Sequence, residues 1–262
     1  MSRSRPEALG IGLSAAECAL AQRGEPVVVR AVPDFSALAW PHPAGTSGTT
    51  LARAHVTLAA DLVRGGVIDA PRGTGSLNEL RQVAALRFEA LFDEPAAGWS
   101  IVGDWSTRGP SVCQAVPAGL AEGLRQAKAG GWQVVDVASA AHRLRSSSAP
   151  APEPRHDPWV WVSVLLDRAT LWWHRQGATF MVCTLGVDPA DPWLRIAQEL
   201  QRVGSLWPDG ALPGELHWAS VGWVPPCAVN GVRCVHRQAA TAWHTGPTTL
   251  SAAAWAAAMG CA

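Results

Sequence analysis

"VCQAVPAGLAEGLRQAKAGGWQVVDVASAAHRL", Val112 to Leu144, alternates apolar residues, breaks at a proline, continues with helical spacing, stops at a glycine pair and alternates again. Its opening is the second strand of a hairpin, "GWSIVGDWS" and "SVCQAVP", turning at Arg108-Gly109-Pro110. Leu120, Leu124 and Ala127 then share one face of a helix from Ala118 to Ala129, closed by Gly130-Gly131. "WQVVDVAS" is the next strand, and "SAAHRL" begins another helical piece. Strand, helix, strand is the order of an α/β layer that contains parallel pairing.

Upstream, "GIGLSAAECALAQRGEPVVVRAV", Gly10 to Val32, reads as two strands about a tight turn at Arg23-Gly24-Glu25, with a glycine-bearing bend in front. A Pro/Gly/Ser/Thr-rich loop runs from Pro41 to Thr50. In "LARAHVTLAADLVRG", Leu51, Ala54, Leu58 and Leu62 have helical spacing and Gly65-Gly66 is a stop, which predicts a helix over Leu51 to Gly65. "SLNELRQVAALRFEALFDEP" predicts a second helix: Ser76 and Glu79 form a capping box, Leu80, Val83, Ala84 and Leu91 a stripe, and Pro95 its end.

Downstream, "SSSAPAPEPRHDP", residues 146 to 158, is a Ser/Ala/Pro-rich break of the kind that joins units. "WVWVSVLLDRATLWWHRQGATFMVCTLG" then reads as three strands, the first apolar enough to be buried on both faces, the next two joined by a turn at Arg175-Gln176-Gly177. A helix follows from about Pro192 to Val203, with proline suited to its first turn. "GELHWASVGWVP" and "GVRCVHR" are strands, and "TTLSAAAWAAAMGCA" is a closing helix. Each half begins with antiparallel strands and ends in helices, without a repeat at the level of letters.

Composition excludes several classes. With 262 residues, 48% hydrophobic and 16% charged, the chain is globular and has ample length for a core. Lys+Arg and Asp+Glu number 21 each, so no global field argues for nucleic acid or an anionic membrane. Lys128 is the only lysine and tyrosine is absent, a bias of coding composition rather than mechanism. The 14 tryptophans favour a buried contact surface. The opening Met-Ser-Arg-Ser-Arg-Pro lacks a signal-peptide apolar core, and the longest apolar runs fall far below the roughly 18 residues a spanning helix needs. The six cysteines show no framework spacing and read as free thiols in a reducing cytoplasm.

Four constellations invite a chemical reading, and each has a plainer one. Cys227, Cys234, His236 and His244 are zinc-ligand types, but the cysteines are seven apart rather than paired at short spacing, which favours ordinary thiols. Cys183 and His174, on neighbouring strands, are types found in nucleophilic pairs, yet such pairs arise by chance in a chain with six Cys and eight His. His156 and Asp157 are adjacent on extended chain and point apart. Trp159, Trp161, Trp172 and Trp173 offer a stacking surface, or core on one side and interface on the other.

The segment from Val112 to Leu144 resembles the actin-like assembly-platform proteins of type IV pili and type II secretion: the PilM type, its relatives of mannose-sensitive pilus biogenesis (MshI type) and the cytoplasmic part of the GspL type. It is similar to the family's strand, proline and helix followed by "aGl.v..vd....al.r". "WVWVSVLLDRATLWWHRQGATFMVCTLG" is similar to "vlvdiG...t.l.v...g...f.R.l", with Gln176-Gly177 at the hairpin turn. "LRIAQELQRV" and "LSAAAWAAAMGCA" resemble the following and closing helices. The resemblance implies an α/β, actin-like (ribonuclease H-like) duplicated fold of reduced size, with mixed sheets flanked by helices. Its halves would be residues 1–145 and 159–262, joined by the linker 146–158.

In that fold ATP sits between the halves, hairpin N–H groups cradle the phosphates, and an aspartate in each hairpin addresses Mg²⁺. The resemblance puts the first Asp-x-Gly near "GLSAAE", where Gly12 and Ser14 stand without an aspartate. The second falls on Ser163-Val164-Leu165, with Asp167 four residues past Ser163. Of the adenosine-side glycine pair only Gly222 is kept, Trp223 filling the other place. The loops read as eroded, so the chain is expected to be a non-catalytic cytoplasmic adaptor without cofactor or metal, peripheral to the inner membrane. It would bind the short cytoplasmic tail of an inner-membrane assembly protein and other platform components. The alternative is an actin-fold ATPase or phosphotransferase of sugar-kinase or Hsp70 type, in which Asp167 or Glu17 substitutes for the missing acids.

Overall fold

The computed structural model describes residues 9–21, 27–31, 51–106, 109–148, 157–206, 210, 212–221, 224–238 and 251–260. Among these described residues thirteen strands are numbered in chain order: β1 Leu9–Leu13, β2 Glu17–Ala21, β3 Val28–Ala31, β4 Ala52–Leu58, β5 Arg64–Ile68, β6 Trp99–Gly103, β7 Ser111–Pro117, β8 Trp132–Ser139, β9 Trp159–Leu165, β10 Arg168–Arg175, β11 Ala178–Gly186, β12 Glu215–Val221 and β13 Arg233–His236. The helices are α1 Leu77–Phe92, α2 Ala118–Gln126, α3 Ala140–Ser147, α4 Pro192–Gly204 and α5 Ala252–Gly260.

Residues 51–65 do not form the expected helix: they make β4 and the start of β5. Alanines at 52 and 54 satisfy a period of two as well as one of 3.6. Ala52, Ala54, Val56 and Leu58 all turn to one core, and parallel pairing with β1 and β8 settles the choice. The first segment, expected as two strands, holds three, because residues 14–16, Ser-Ala-Ala, themselves form a hairpin turn after the glycines of β1. The turn expected at Arg23-Gly24-Glu25 lies outside the described residues. The helix at Ser76 forms as expected: Ser76 Oγ accepts the Glu79 N–H at 3.2 Å, and Glu79 Oε2 accepts the Gly75 N–H at 2.8 Å.

Two five-stranded sheets carry one strand order. The first runs β3-β2-β1-β4-β8 and the second β11-β10-β9-β12-β13. In each, the first three strands in sequence pair antiparallel and the last two add in parallel beside the first: β1 with β2, β2 with β3, then β4 and β8; β9 with β10, β10 with β11, then β12 and β13. This duplication in topology, absent from the letters, is the architecture of a doubled ribonuclease H-like fold. The sequence halves 1–145 and 159–262 each contain one such sheet. Grouping by contact gives two compact units that cut the chain elsewhere: Met1–Val63, Val116–Arg143 and Gly246–Ala262 form one, Arg64–Ala115 and Leu144–Thr245 the other.

In the first unit, Ile11, Leu13, Val56, Leu58, Leu120 and Trp132 form a core under one sheet face. The other face carries Gly10 and Gly12 beside Ala19 and Ala21, and α5 lies on it through Ala254 and Ala257. Side chains this small let a helix approach a sheet closely.

In the second unit, α1 covers the sheet β5-β7-β6 with Leu80, Ala84 and Phe88, over Ile68 and Cys113. Gly65, expected as a helix stop, lies within β5 and faces β11: a Cβ there would stand 3.0 Å from Val182 Cγ1. Val160, Val162, Val164, Ala169, Leu171 and Trp173 of the large sheet pack against Trp193, Ile196, Leu200 and Val203 of α4. β9 is buried on both faces, as its composition predicts. The turn from β10 to β11 has Gln176 at φ 52° and Gly177 at φ 76°, the left-handed pair that a two-residue hairpin needs.

Candidate functional site

β1 and β2 meet at a tip formed by residues 14–16, and the tip is closed by bonds of its own. The Ser14 N–H donates to Glu17 O at 2.9 Å, and the Glu17 N–H donates to Ser14 Oγ at 3.1 Å. The Ala15 N–H donates to Asp61 Oδ2 at 2.8 Å. Asp61 comes from the connection after β4, 46 residues along the chain, so no local pattern in the sequence announces it. The available signal was topological: β1 and β4 are parallel neighbours, so the loops leaving them emerge at one end of the sheet. Ala59 N, donating to Leu13 O at 2.7 Å, fixes that proximity.

Of the two candidates in this hairpin, Ser14 is buried and spends its hydroxyl inside the turn. Gly12 lies one residue before the end of β1, opposite Ala19, on the face that α5 covers.

The second hairpin turns at Leu166-Asp167, between the paired residues Leu165 and Arg168. Ser163 lies within β9, fully buried, and its Oγ accepts the Trp161 indole N–H at 3.1 Å. Leu166 holds φ 53°, a left-handed conformation that glycine adopts without cost and leucine does not. The Asp167 carbonyl accepts the Val187 N–H at 2.8 Å, and its carboxylate stands 3.8 Å from Arg168 Nε, both side chains being substantially exposed. Gly222 and Trp223 lie outside the described residues.

The remaining constellations resolve by geometry. Cys183 pairs with Leu171, while His174 pairs with Thr179 and bonds to its Oγ1 at 3.2 Å, so sulfur and imidazole have different partners. Burial above all, with the Glu199 carboxylate beside it, pushes the Cys183 thiol up to about 12, the opposite of activation. His174 stacks on Trp159 at 4.0 Å; burial, then the neighbouring Arg145 and His217, bring its pKa down to about 3. Asp157 accepts the Gln176 N–H with both oxygens, at 3.0 and 2.9 Å, and His156 lies outside the described residues. Trp173 belongs to the core against α4, whereas Trp161 and Trp172 pair on the reverse face, with the Arg145 guanidinium 5.5 Å from the Trp172 ring.

Cys227 and Cys234 share a hydrogen bond between their side chains. His236 instead packs on Trp218 at 4.1 Å, and His244 lies outside the described residues. Among the described residues no group of three or more His, Cys, Asp or Glu could hold a metal ion. Nor, among them, is any helix long and apolar enough to cross a membrane.

No protein-family profile matches the chain, and no curated protein does. Solved structures do. The cytoplasmic domain of EpsL, an inner-membrane component of the type II secretion system of Vibrio cholerae, superposes with a TM-score of 0.51 at 15% identity, over 96% of this chain and 93% of that one. A PilM-PilN type IV pilus biogenesis complex gives 0.45 at 12% identity, over 83% and 82%. A Bacteroides thetaiotaomicron protein with an actin-like ATPase fold and unknown function gives 0.47 at 10%, over 86% of each chain. Together with the strand order found twice, the EpsL likeness establishes that this chain has the actin-like fold: α/β, with mixed sheets flanked by helices.

Proposed function

We propose that the chain is a non-catalytic adaptor in the inner-membrane platform of a type II secretion or type IV pilus machine, where it holds the short cytoplasmic tail of a membrane partner. The observation that carries this reading is an actin-like fold whose first phosphate hairpin is closed on itself. Three N–H groups of its tip, those of Ser14, Ala15 and Glu17, already have acceptors, one of them a carboxylate. A phosphate arriving there would displace Asp61 or face its like charge. At the second hairpin, Leu165 and Leu166 stand where phosphate contact needs glycine. On this reading the loops do not fit Mg·ATP, and no reaction step is assigned to them. The likeness to the EpsL domain and the family resemblance of the sequence supply the type of machine.

Recognition would then be the work: an extended tail brings main-chain hydrogen bonds and apolar anchors, and the fold supplies a surface for them. Synthetic peptides spanning the cytoplasmic tails of the host's single-pass pilus and secretion platform proteins, immobilised and presented to the full chain, test this. Saturable binding of one peptide at micromolar concentration, lost when its sequence is scrambled, is the expected result. Binding of none of them, together with ATP turnover by the same preparation, overturns the reading.

A further inference from the structure

Between β12 and β13 the chain makes a tight turn at Val229-Asn230-Gly231-Val232, closed by the Val232 N–H on Val229 O at 3.2 Å, with Gly231 at φ 78°. A positive φ at the third residue is what a type II turn requires. Cys227 and Cys234 stand two residues outside this turn, one on either side. Their side chains are hydrogen-bonded to each other, which puts the two sulfurs near the reach of a disulfide. Both thiols are partly exposed. The segment is anchored on both flanks: Pro225 O accepts the Trp193 indole N–H at 2.7 Å, and Cys234, in β13, pairs with Leu216 of β12.

We propose that Cys227 and Cys234 are a reversible thiol–disulfide pair, oxidised by hydroperoxides, that locks this turn to the edge strand β13. Their environment sets the roles. The hydrogen bond from Cys227 and the Val229 backbone N–H outweigh the upward effect of burial and bring the Cys234 thiol down to about 6, while as a thiol Cys234 Sγ donates to Val232 O at 3.7 Å. Cys227, whose proton is held by that bond and whose sulfur is partly buried, is shifted upward. Cys234 is thus the thiolate nucleophile and Cys227 the resolving thiol. Elsewhere burial pushes Cys18 and Cys113 up to about 11, and Cys183 higher, so these are poor competitors.

The Cys234 sulfur attacks the near oxygen of the peroxide; the O–O bond breaks, an alcohol (or water) leaves, and Cys234 becomes a sulfenic acid. The Cys227 sulfur then attacks the Cys234 sulfur, the S–S bond forms, and water leaves with the Cys227 proton. Two electrons pass from the thiols to the peroxide, and a thiol reductant returns them.

The test uses the full chain, treated with hydrogen peroxide, alkylated and digested with trypsin. Arg202, Arg233 and Arg237 bracket the pair, so the bridge joins peptide Val203–Arg233 to peptide Cys234–Arg237. The expected product is that linked pair, lighter by two hydrogens than the sum of its parts and undone by dithiothreitol. In Cys227→Ser, Cys234 goes on to sulfenic and sulfinic acid without a link, and the midpoint of its alkylation rate with pH moves from about 6 toward about 8.5. Recovery of both peptides unlinked and still alkylatable in the wild-type chain overturns the proposal, as does a bridge to any other cysteine.

Discussion

Asp61 shows how much one side chain decides. Its carboxylate occupies the Ala15 N–H, which the proposed function counts among the donors of a former phosphate hairpin. Asp61→Ala leaves that N–H without its acceptor, and urea unfolding is expected to show a loss of about 1–2 kcal/mol, with no gain of nucleotide affinity. An unchanged midpoint would mean that water replaces the carboxylate at no cost. His174 is the second decisive residue. Its folded pKa of about 3 lies below the unfolded value of about 6.5, so the unfolded chain takes up a proton that the folded chain refuses. Stability is therefore full above about pH 6.5 and falls progressively as pH drops toward 3. His174→Phe keeps a ring on Trp159 and flattens the fall of Tm between pH 7 and 5; part of the slope persists because burial and Arg237 also lower His217. A Tm profile unchanged by this substitution would contradict the assignment.

At the scale of elements, two predictions follow from local geometry. Ser76→Ala removes the acceptor that caps α1 and costs about 1 kcal/mol in denaturant unfolding, while Ser76→Asp retains it. Gly65→Ala places a methyl 3.0 Å from Val182 Cγ1 and costs about 1–3 kcal/mol by overpacking; adding Val182→Ala recovers part of that loss. Additive losses in the double variant would refute the contact. Legibility differs between these elements for physical reasons. The α1 cap, the hairpin turn at Gln176-Gly177 and the doubly buried β9 were readable because local chemistry specifies them. β4 was not, since alanine fits both periods and only its neighbours β1 and β8 decide. Asp61 escaped for the same reason, its role resting on a partner 46 residues away. Nothing in the letters of α5 names β1 and β2 as its packing partners, though its alanines and theirs are matched in size.

For the whole molecule, the strand order found twice ties the fold to actin-like proteins, and the function proposed above takes the two hairpins as loops that no longer hold phosphate. The central claim is that the fold has been kept as a scaffold for recognition. It is tested most directly by calorimetric titration of the full chain with Mg·ATP, joined to a thermal-shift series, since any ligand that binds only the native state must raise its stability. The account predicts no saturable heat and no shift of Tm at about 1 mM nucleotide, a concentration that would stabilise any site with micromolar affinity. A saturable heat with a micromolar Kd and a matching rise in Tm would contradict it.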